Sequence, residues 1–240
     1  MRVALVPTMG ALHDGHRALL RAARADADRV VMSLFVNPTQ FGPDEDFSRY
    51  PRDLERDRAI AAEEGVDEVF APSLAEMYPE DFSTSVSVGR LGELYEGAAR
   101  PGHFAGVATV VLKLLHRLAP DVTVFGQKDA QQVAVIRRLV RDLDVAVELR
   151  VIPTVREPDG LAISSRNAYL TPQQRHRAPS LHRALVARDP SLVEGEIEYL
   201  AVVDADSFEQ VAPRPGALVV GAARFGQTRL IDNVVIEEDT

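Results

Sequence analysis

The chain has 240 residues, 46% hydrophobic and 26% charged, which suits one large domain or one domain with a smaller appendage. A formal net charge of −9 argues against a generic nucleic-acid surface, where excess Lys and Arg are expected, yet it leaves room for a locally basic anion site. Cysteine is absent, which removes disulfides, thiolate catalysis and zinc–sulfur sites together.

Val3–Val6 reads as a first strand, closed by Pro7 and too short for a signal peptide. No apolar run reaches the roughly 18 residues of a membrane span. A cytoplasmic protein without membrane partners is therefore expected. A helix follows over His16–Ala25, its apolar positions at Leu19, Leu20 and Ala23, and then a strand over Val30–Val36. Pro51–Glu64 is a predicted helix ended by Gly65 in the C-terminal capping position, and Val66–Ala71 a third strand. Phe104–Leu118 is helical, Val122–Phe125 a short buried strand, Ala130–Leu143 helical again, and Val145–Ile152 a strand. Strands that alternate with helices predict an α/β, Rossmann-like parallel sheet with helices on both faces.

The pattern changes after Pro153. A helix over Pro172–Ala187, with Thr171 as its N-cap, precedes strands at Ile197–Val203, Ala217–Ala223 and Arg229–Ile236 with no helix between them. That order predicts a small C-terminal α+β domain with an antiparallel sheet. The expected division is a domain over residues 1–153 and a smaller lid-like one over 154–240, joined near Thr154–Asn167.

The first strand runs into Pro7-Thr8-Met9-Gly10-Ala11-Leu12-His13-Asp14-Gly15-His16, after which a helix begins. In an open α/β sheet ligands bind beyond the carboxyl ends of the strands, and a helix N-terminus there suits phosphate. Gly10 and Gly15 would let the backbone approach a ligand, and His13 and His16, three apart, would face the same way within a helical turn. Histidines in an arbitrary loop are more often turn or cap residues, and a zinc reading lacks a third ligand at a recognisable spacing. Neither G-x-x-x-x-G-K-[ST] nor G-x-G-x-x-G occurs, so a nucleotide would be held in another way.

Pro7–His16 resembles the PTMG-x-LH-x-GH segment of pantothenate synthetases, and its His-x-Gly-His element is shared with the wider nucleotidylyltransferase-like superfamily. Four further segments match that family in order: Phe35-Val36-Asn37-Pro38-Thr39-Gln40-Phe41, His103-Phe104-Ala105-Gly106-Val107, Phe125-Gly126-Gln127-Lys128-Asp129-Ala130-Gln131-Gln132, and Asp159-Gly160-Leu161-Ala162-Ile163-Ser164-Ser165-Arg166-Asn167. The resemblance implies a ligase that activates pantoate with ATP and passes the acyl group to β-alanine through a pantoyl adenylate, releasing pyrophosphate and AMP. It implies no redox cofactor. On the matching positions it implies that Met9–His16, Gly126–Asp129, Val155 and Ile163–Arg166 meet ATP, with His13, His16, Lys128, Ser164, Ser165 and Arg166 carrying the catalytic work.

The resemblance further implies that Gln40 and Gln132 hold pantoate, with Gln40 beside β-alanine as well. Mg²⁺ would accompany ATP, with Asp57 at the metal-associated position although its helix is predicted to face solvent, and a homodimer is implied. His103, His116, His176 and His182 carry no stronger reading than surface or packing roles. The chain departs from the family pattern at its start, which lies almost on the first strand, in the short stretch Arg188–Glu196, and at Ala130, where an aromatic residue is usual. Loss of a large buried side chain at Ala130 is expected to loosen the pantoate pocket.

Overall fold

A computed structural model describes residues 1–43 and 46–238. The chain divides into two compact units, one comprising Met1–Phe125 and Val135–Ile152, the other Gly126–Ala134 and Pro153–Thr240.

The first unit is built on strands β1 (Val3–Thr8), β2 (Arg29–Leu34), β3 (Glu68–Phe70), β4 (Val122–Gly126) and β5 (Glu148–Ile152). They form one sheet in the order β3-β2-β1-β4-β5, and the β1–β2, β1–β4 and β2–β3 pairs are parallel. The helices of this part of the chain are α1 (Asp14–Asp26), α2 (Leu54–Glu63), the single turns α3 (Leu74–Met77) and α4 (Glu96–Ala99), α5 (His103–Leu118) and α6 (Ala130–Asp142). Side chains alternate across β1. Ala4 and Val6 join Leu20 and Ala23 of α1 and Ile60 and Ala61 of α2 in one buried cluster, while the equally buried Leu5 points to the other face, where α5 packs. The expected α/β architecture is therefore present. From β1 the sheet grows first through β2 to β3 and then, on its other side, through β4 to β5, which makes the β1/β4 boundary its topological switch point.

The second unit carries α7 (Pro172–Arg177), α8 (Ser180–Ala187) and strands β6 (Glu196–Val203), β7 (Leu218–Phe225) and β8 (Thr228–Val235). The strands form the expected antiparallel sheet in the order β6-β7-β8. Leu181 and Leu185 of α8 pack with Val219, Ala223 and Phe225 of β7 to make its core. The single helix expected over Pro172–Ala187 is two. Thr171 caps the first, reciprocally with Gln174, but Pro179 lacks the N–H that would continue the ladder, and the chain restarts at Ser180. Among the described residues no helix is long and apolar enough to cross a membrane.

Glu64, just past α2, ties that helix to α1. Its side chain is only 7% exposed and receives Arg17 Nη1 and both Nε and Nη2 of Arg21, each at 2.7 Å. The Arg21 hydrogen bonds, followed by Arg17, hold the Glu64 carboxyl below its usual range against the opposing effect of burial. A carboxyl so depressed adds stability above its unfolded value of about 4.3 and loses it as pH falls through the lower folded value. We therefore expect Glu64→Gln to be less stable than the parent to urea at neutral pH. The gap should close below about pH 4; a gap that stays constant down to acid pH would contradict the assignment.

Candidate active site

In the first unit, β1 ends in a loop whose shape is set from α2. Gly10 and Ala11 both take left-handed conformations, with φ of +87° and +52°. Asp57, 1% exposed, accepts from the Ala11 N–H through Oδ2 at 3.0 Å and from the Leu12 N–H through Oδ1 at 2.9 Å. Its neighbour Arg56 donates to the Leu12 carbonyl at 3.3 Å. The solvent-facing position expected for Asp57 is thus corrected: α2 turns this carboxylate inward because the loop supplies two donors for it. A Cβ on Gly10 would come within 2.8 Å of Asp57 Oδ2, so that glycine makes room for the protein's own carboxylate.

Beyond the loop, α1 starts two residues earlier than the spacing predicts, which makes His13 its N-cap. His13 Nδ1 accepts from the Gly15 N–H at 3.2 Å, and His16 Nδ1 accepts from the His13 N–H at 3.3 Å. This is a capping box in which two imidazoles take the roles usual for hydroxyl and carboxylate side chains. Both donors are backbone N–H groups, so both Nδ1 atoms are unprotonated and each ring carries its proton on Nε2. The rings lie with centroids 4.1 Å apart. A Cβ on Gly15 would sit 2.9 Å from His13 Cε1, which accounts for glycine between the histidines. The N–H groups of Ala11, Leu12 and Gly15 are thus engaged by Asp57 and His13.

Gln40, 8% exposed, ends a short 3₁₀ turn over Pro38–Gln40 in the same unit. Asn37 fixes its side chain. The Asn37 Oδ1 accepts from Tyr78 Oη at 2.8 Å and Thr39 Oγ1 at 2.9 Å, so its amide nitrogen must donate, to Gln40 Oε1 at 3.0 Å and the Gly106 carbonyl at 3.1 Å. Burial pushes the Tyr78 phenol up, which keeps it a donor. Gln40 therefore presents Nε2, 3.3 Å from the Met9 sulfur, as its remaining donor group. Its carbonyl accepts from His103 Nδ1 at 2.8 Å and from Arg100 at 3.3 Å.

In the second unit, Gly126 leads into a 3₁₀ turn over Gln127–Asp129 and then α6. The Lys128 side chain is 21% exposed, with Nζ 3.4 Å from Asp129 Oδ1. Gln132 is half-buried in the first turn of α6, and Ala130 and Gln131 are buried. Residues 155–163 fold back on themselves: the Val155 carbonyl accepts from the Ile163 N–H at 3.0 Å, Arg156 bridges to Ala162, and Gly160 turns the corner at φ +92°. Ser164 caps a 3₁₀ turn over Ser165–Tyr169 by accepting from the Arg166 N–H at 3.3 Å, and Ser165 and Arg166 are half-buried within that turn. Among the described residues no three His, Cys, Asp or Glu side chains cluster as metal ligands.

Comparison with known proteins turns this geometry into a family assignment. The family model for pantoate–beta-alanine ligase matches residues 1–235. The chain belongs to that family. A pantothenate synthetase of Moorella thermoacetica is 53% identical over 259 aligned positions, covering 99% of this chain and 92% of that one. A pantothenate synthetase structure from Thermus thermophilus superposes with a TM-score of 0.94 at 49% identity, over 99% of this chain and 94% of that one. A pantoate–beta-alanine ligase from Francisella tularensis, complexed with beta-gamma ATP and beta-alanine, gives 0.84 at 35% identity, over 99% and 91% of the two chains.

Within the ligase, the residues that sequence reasoning passes over are the ones that hold others in place. Asn37 stands inside a matched segment, but its role depends on Tyr78 and Gly106, far along the chain. His103, a surface or packing residue on sequence grounds, grips the Gln40 carbonyl. Arg156 and Asp232 form a pair at 2.6 Å that no spacing announces. For the loop anchor, Asp57→Asn would set an amide nitrogen against one of two N–H donors and remove the charge. We expect a loss of about 1–3 kcal/mol in a urea melt, larger than for Glu55→Gln at an exposed carboxylate of the same helix; equal losses would refute the buried clamp.

Proposed function

We propose that this ligase condenses pantoate with β-alanine at the expense of ATP by way of a pantoyl adenylate. The match to the pantoate–beta-alanine ligase family over residues 1–235 is the observation that carries the reading. In the first step a pantoate carboxylate oxygen attacks the α-phosphorus of ATP, and the bond to the β-phosphate breaks to release pyrophosphate. In the second, the β-alanine nitrogen attacks the acyl carbon, the bond to AMP breaks, and the nitrogen gives up a proton. The substrates supply both nucleophiles, so the protein's task is to position them and to stabilise charge.

The side chains of this chain suit that task. His13 and His16, locked with Nδ1 inward, offer Nε2–H donors to phosphate oxygens. Lys128 supplies a fixed cation for the phosphates, and Ser164, Ser165 and Arg166 a second set of donors. The Val155 backbone would lie near the adenine, and Ile163 would add a further contact to ATP. Gln40, its Oε1 held by Asn37, donates from Nε2 to a carboxylate or hydroxyl oxygen of pantoate and then to β-alanine; Gln132 is its counterpart for pantoate.

Mg²⁺ enters with ATP, where it would neutralise phosphate charge while keeping most of its water. Asp57 fits a ligand role poorly, because each of its oxygens already accepts a loop N–H, so the phosphates themselves are its main seat. The resemblance adds a homodimer, expected at twice 26.3 kDa by sedimentation, and a cytoplasmic location.

Pyrophosphate release from MgATP should depend on pantoate, and AMP release on β-alanine as well. Release of either product without pantoate, or ATP binding with no turnover, would sink the reading. Lys128→Ala should cut kcat/KM for ATP by about 10²- to 10³-fold with little change in melting temperature; an effect under about threefold would remove Lys128 from the phosphate site.

A further inference from the structure

The turn that carries Lys128 is held by a residue from the far end of the chain. Asn233 lies in β8 and is 3% exposed. Its Nδ2 donates to the Gln127 carbonyl at 2.9 Å and to the Lys128 carbonyl at 3.0 Å, and its Oδ1 accepts from Gln127 Nε2 at 3.2 Å. One amide thus spends its donors on two consecutive peptide carbonyls and its acceptor on the Gln127 side chain. A turn at the surface would ordinarily give those carbonyls to water. Here Asn233, itself buried, supplies both partners, and losing a partner inside the protein costs more than the bond itself contributes.

Asn233 is itself fixed. The adjoining Asp232, 5% exposed, accepts from the Asn233 N–H at 2.7 Å and takes both guanidinium nitrogens of Arg156, at 2.6 and 3.0 Å. Arg156 also donates to the Asn233 carbonyl at 3.0 Å and to the Gly160 carbonyl at 3.1 Å. A fork of planar donors on a carboxylate has little angular freedom. The strand, the Val155–Ile163 fold-back and the Lys128 turn are therefore registered against one another through Arg156, Asp232 and Asn233.

We propose that Asn233 is the positioning residue of Lys128: by holding the Gln127 and Lys128 carbonyls it fixes the root of the lysine stem, and the Arg156–Asp232 pair keeps Asn233 in register. Lys128 reaches its target through four methylenes, so freedom at the root is magnified at Nζ. The proposal rests on the reading that Lys128 meets the phosphates of ATP.

Its test is a double-mutant cycle between Asn233 and Lys128, read as ATP affinity by calorimetry, which needs no turnover, and as kcat/KM for ATP. Asn233→Ala should lower both by about 10- to 100-fold, leave the KM for β-alanine unmoved, and have less than about a twofold effect once Lys128 is already Ala. An undiminished effect in the K128A background overturns the proposal, as does an unchanged ATP affinity in N233A with a native circular dichroism spectrum. If N233A does not fold, Asn233→Ser, which keeps one donor, takes its place in the cycle; failure of both to fold would assign Asn233 to stability alone and also overturn it. The unaltered chain separates the two readings. ATP binding without pantoate-dependent pyrophosphate release refutes the reaction while the cycle still reports on Asn233, and absence of ATP binding refutes both.

Discussion

An ionised carboxylate carried into a protein interior must be met by donors, because leaving it unpaired costs several kcal/mol. Asp57 finds its donors in the backbone N–H groups of Ala11 and Leu12. That requirement shapes the loop after β1. Both N–H groups converge on one side chain where the chain turns through two left-handed residues, and the first of these is glycine because a Cβ there would strike the same carboxylate. The loop in turn delivers His13 to the start of α1 as its cap. Glu64, just past the other end of α2, clamps the first two turns of α1 through Arg17 and Arg21, so α2 holds both the loop and the helix that follows it by charge-assisted hydrogen bonds.

A common logic runs through the groups assigned to chemistry. Each is oriented by a neighbour whose own hydrogen bonds are complete. Backbone N–H groups fix the tautomer of both histidines, Tyr78 and Thr39 fix the sense of the Asn37 amide and through it that of Gln40, and Asn233 fixes the backbone under Lys128. The outcome is a set of donors: imidazole Nε2–H, an amide nitrogen and an ammonium. The carboxylates and hydroxyls of pantoate and β-alanine and the phosphates of ATP are oxygen acceptors, which donors of this kind suit. Such preorganisation suits a reaction whose nucleophiles belong to the substrates.

The fold is largely legible in the sequence because its signals are local. Short apolar runs alternating with amphipathic stretches dictate a parallel sheet, and three strands without helices between them dictate an antiparallel one. The departures from expectation are local too. Pro179 interrupts a run that periodicity alone would carry through, and α1 begins at Asp14 because the imidazole of His13 can cap, a role that residue statistics give to Ser, Thr, Asp and Asn. Asp57 departs for a different reason. α2 has charged residues nearly all round, so nothing in its own pattern reveals which one faces inward, and the deciding donors come from a segment more than forty residues away.

By itself the sequence determined the family, the two sheet types and the identity of the segments bearing His13, His16, Gln40, Lys128 and Arg166, because residue type and spacing along the chain carry those signals. Only the tertiary structure decided how these side chains are presented. That the histidines point Nδ1 inward, that Gln40 offers its nitrogen and not its oxygen, and that the Lys128 turn hangs on Asn233 all follow from hydrogen bonds made in a particular three-dimensional setting. The bonds that orient Gln40 and the Lys128 turn join residues up to 106 positions apart. A hydrogen bond depends on distance and direction in space, and for such pairs neither quantity is a function of sequence separation.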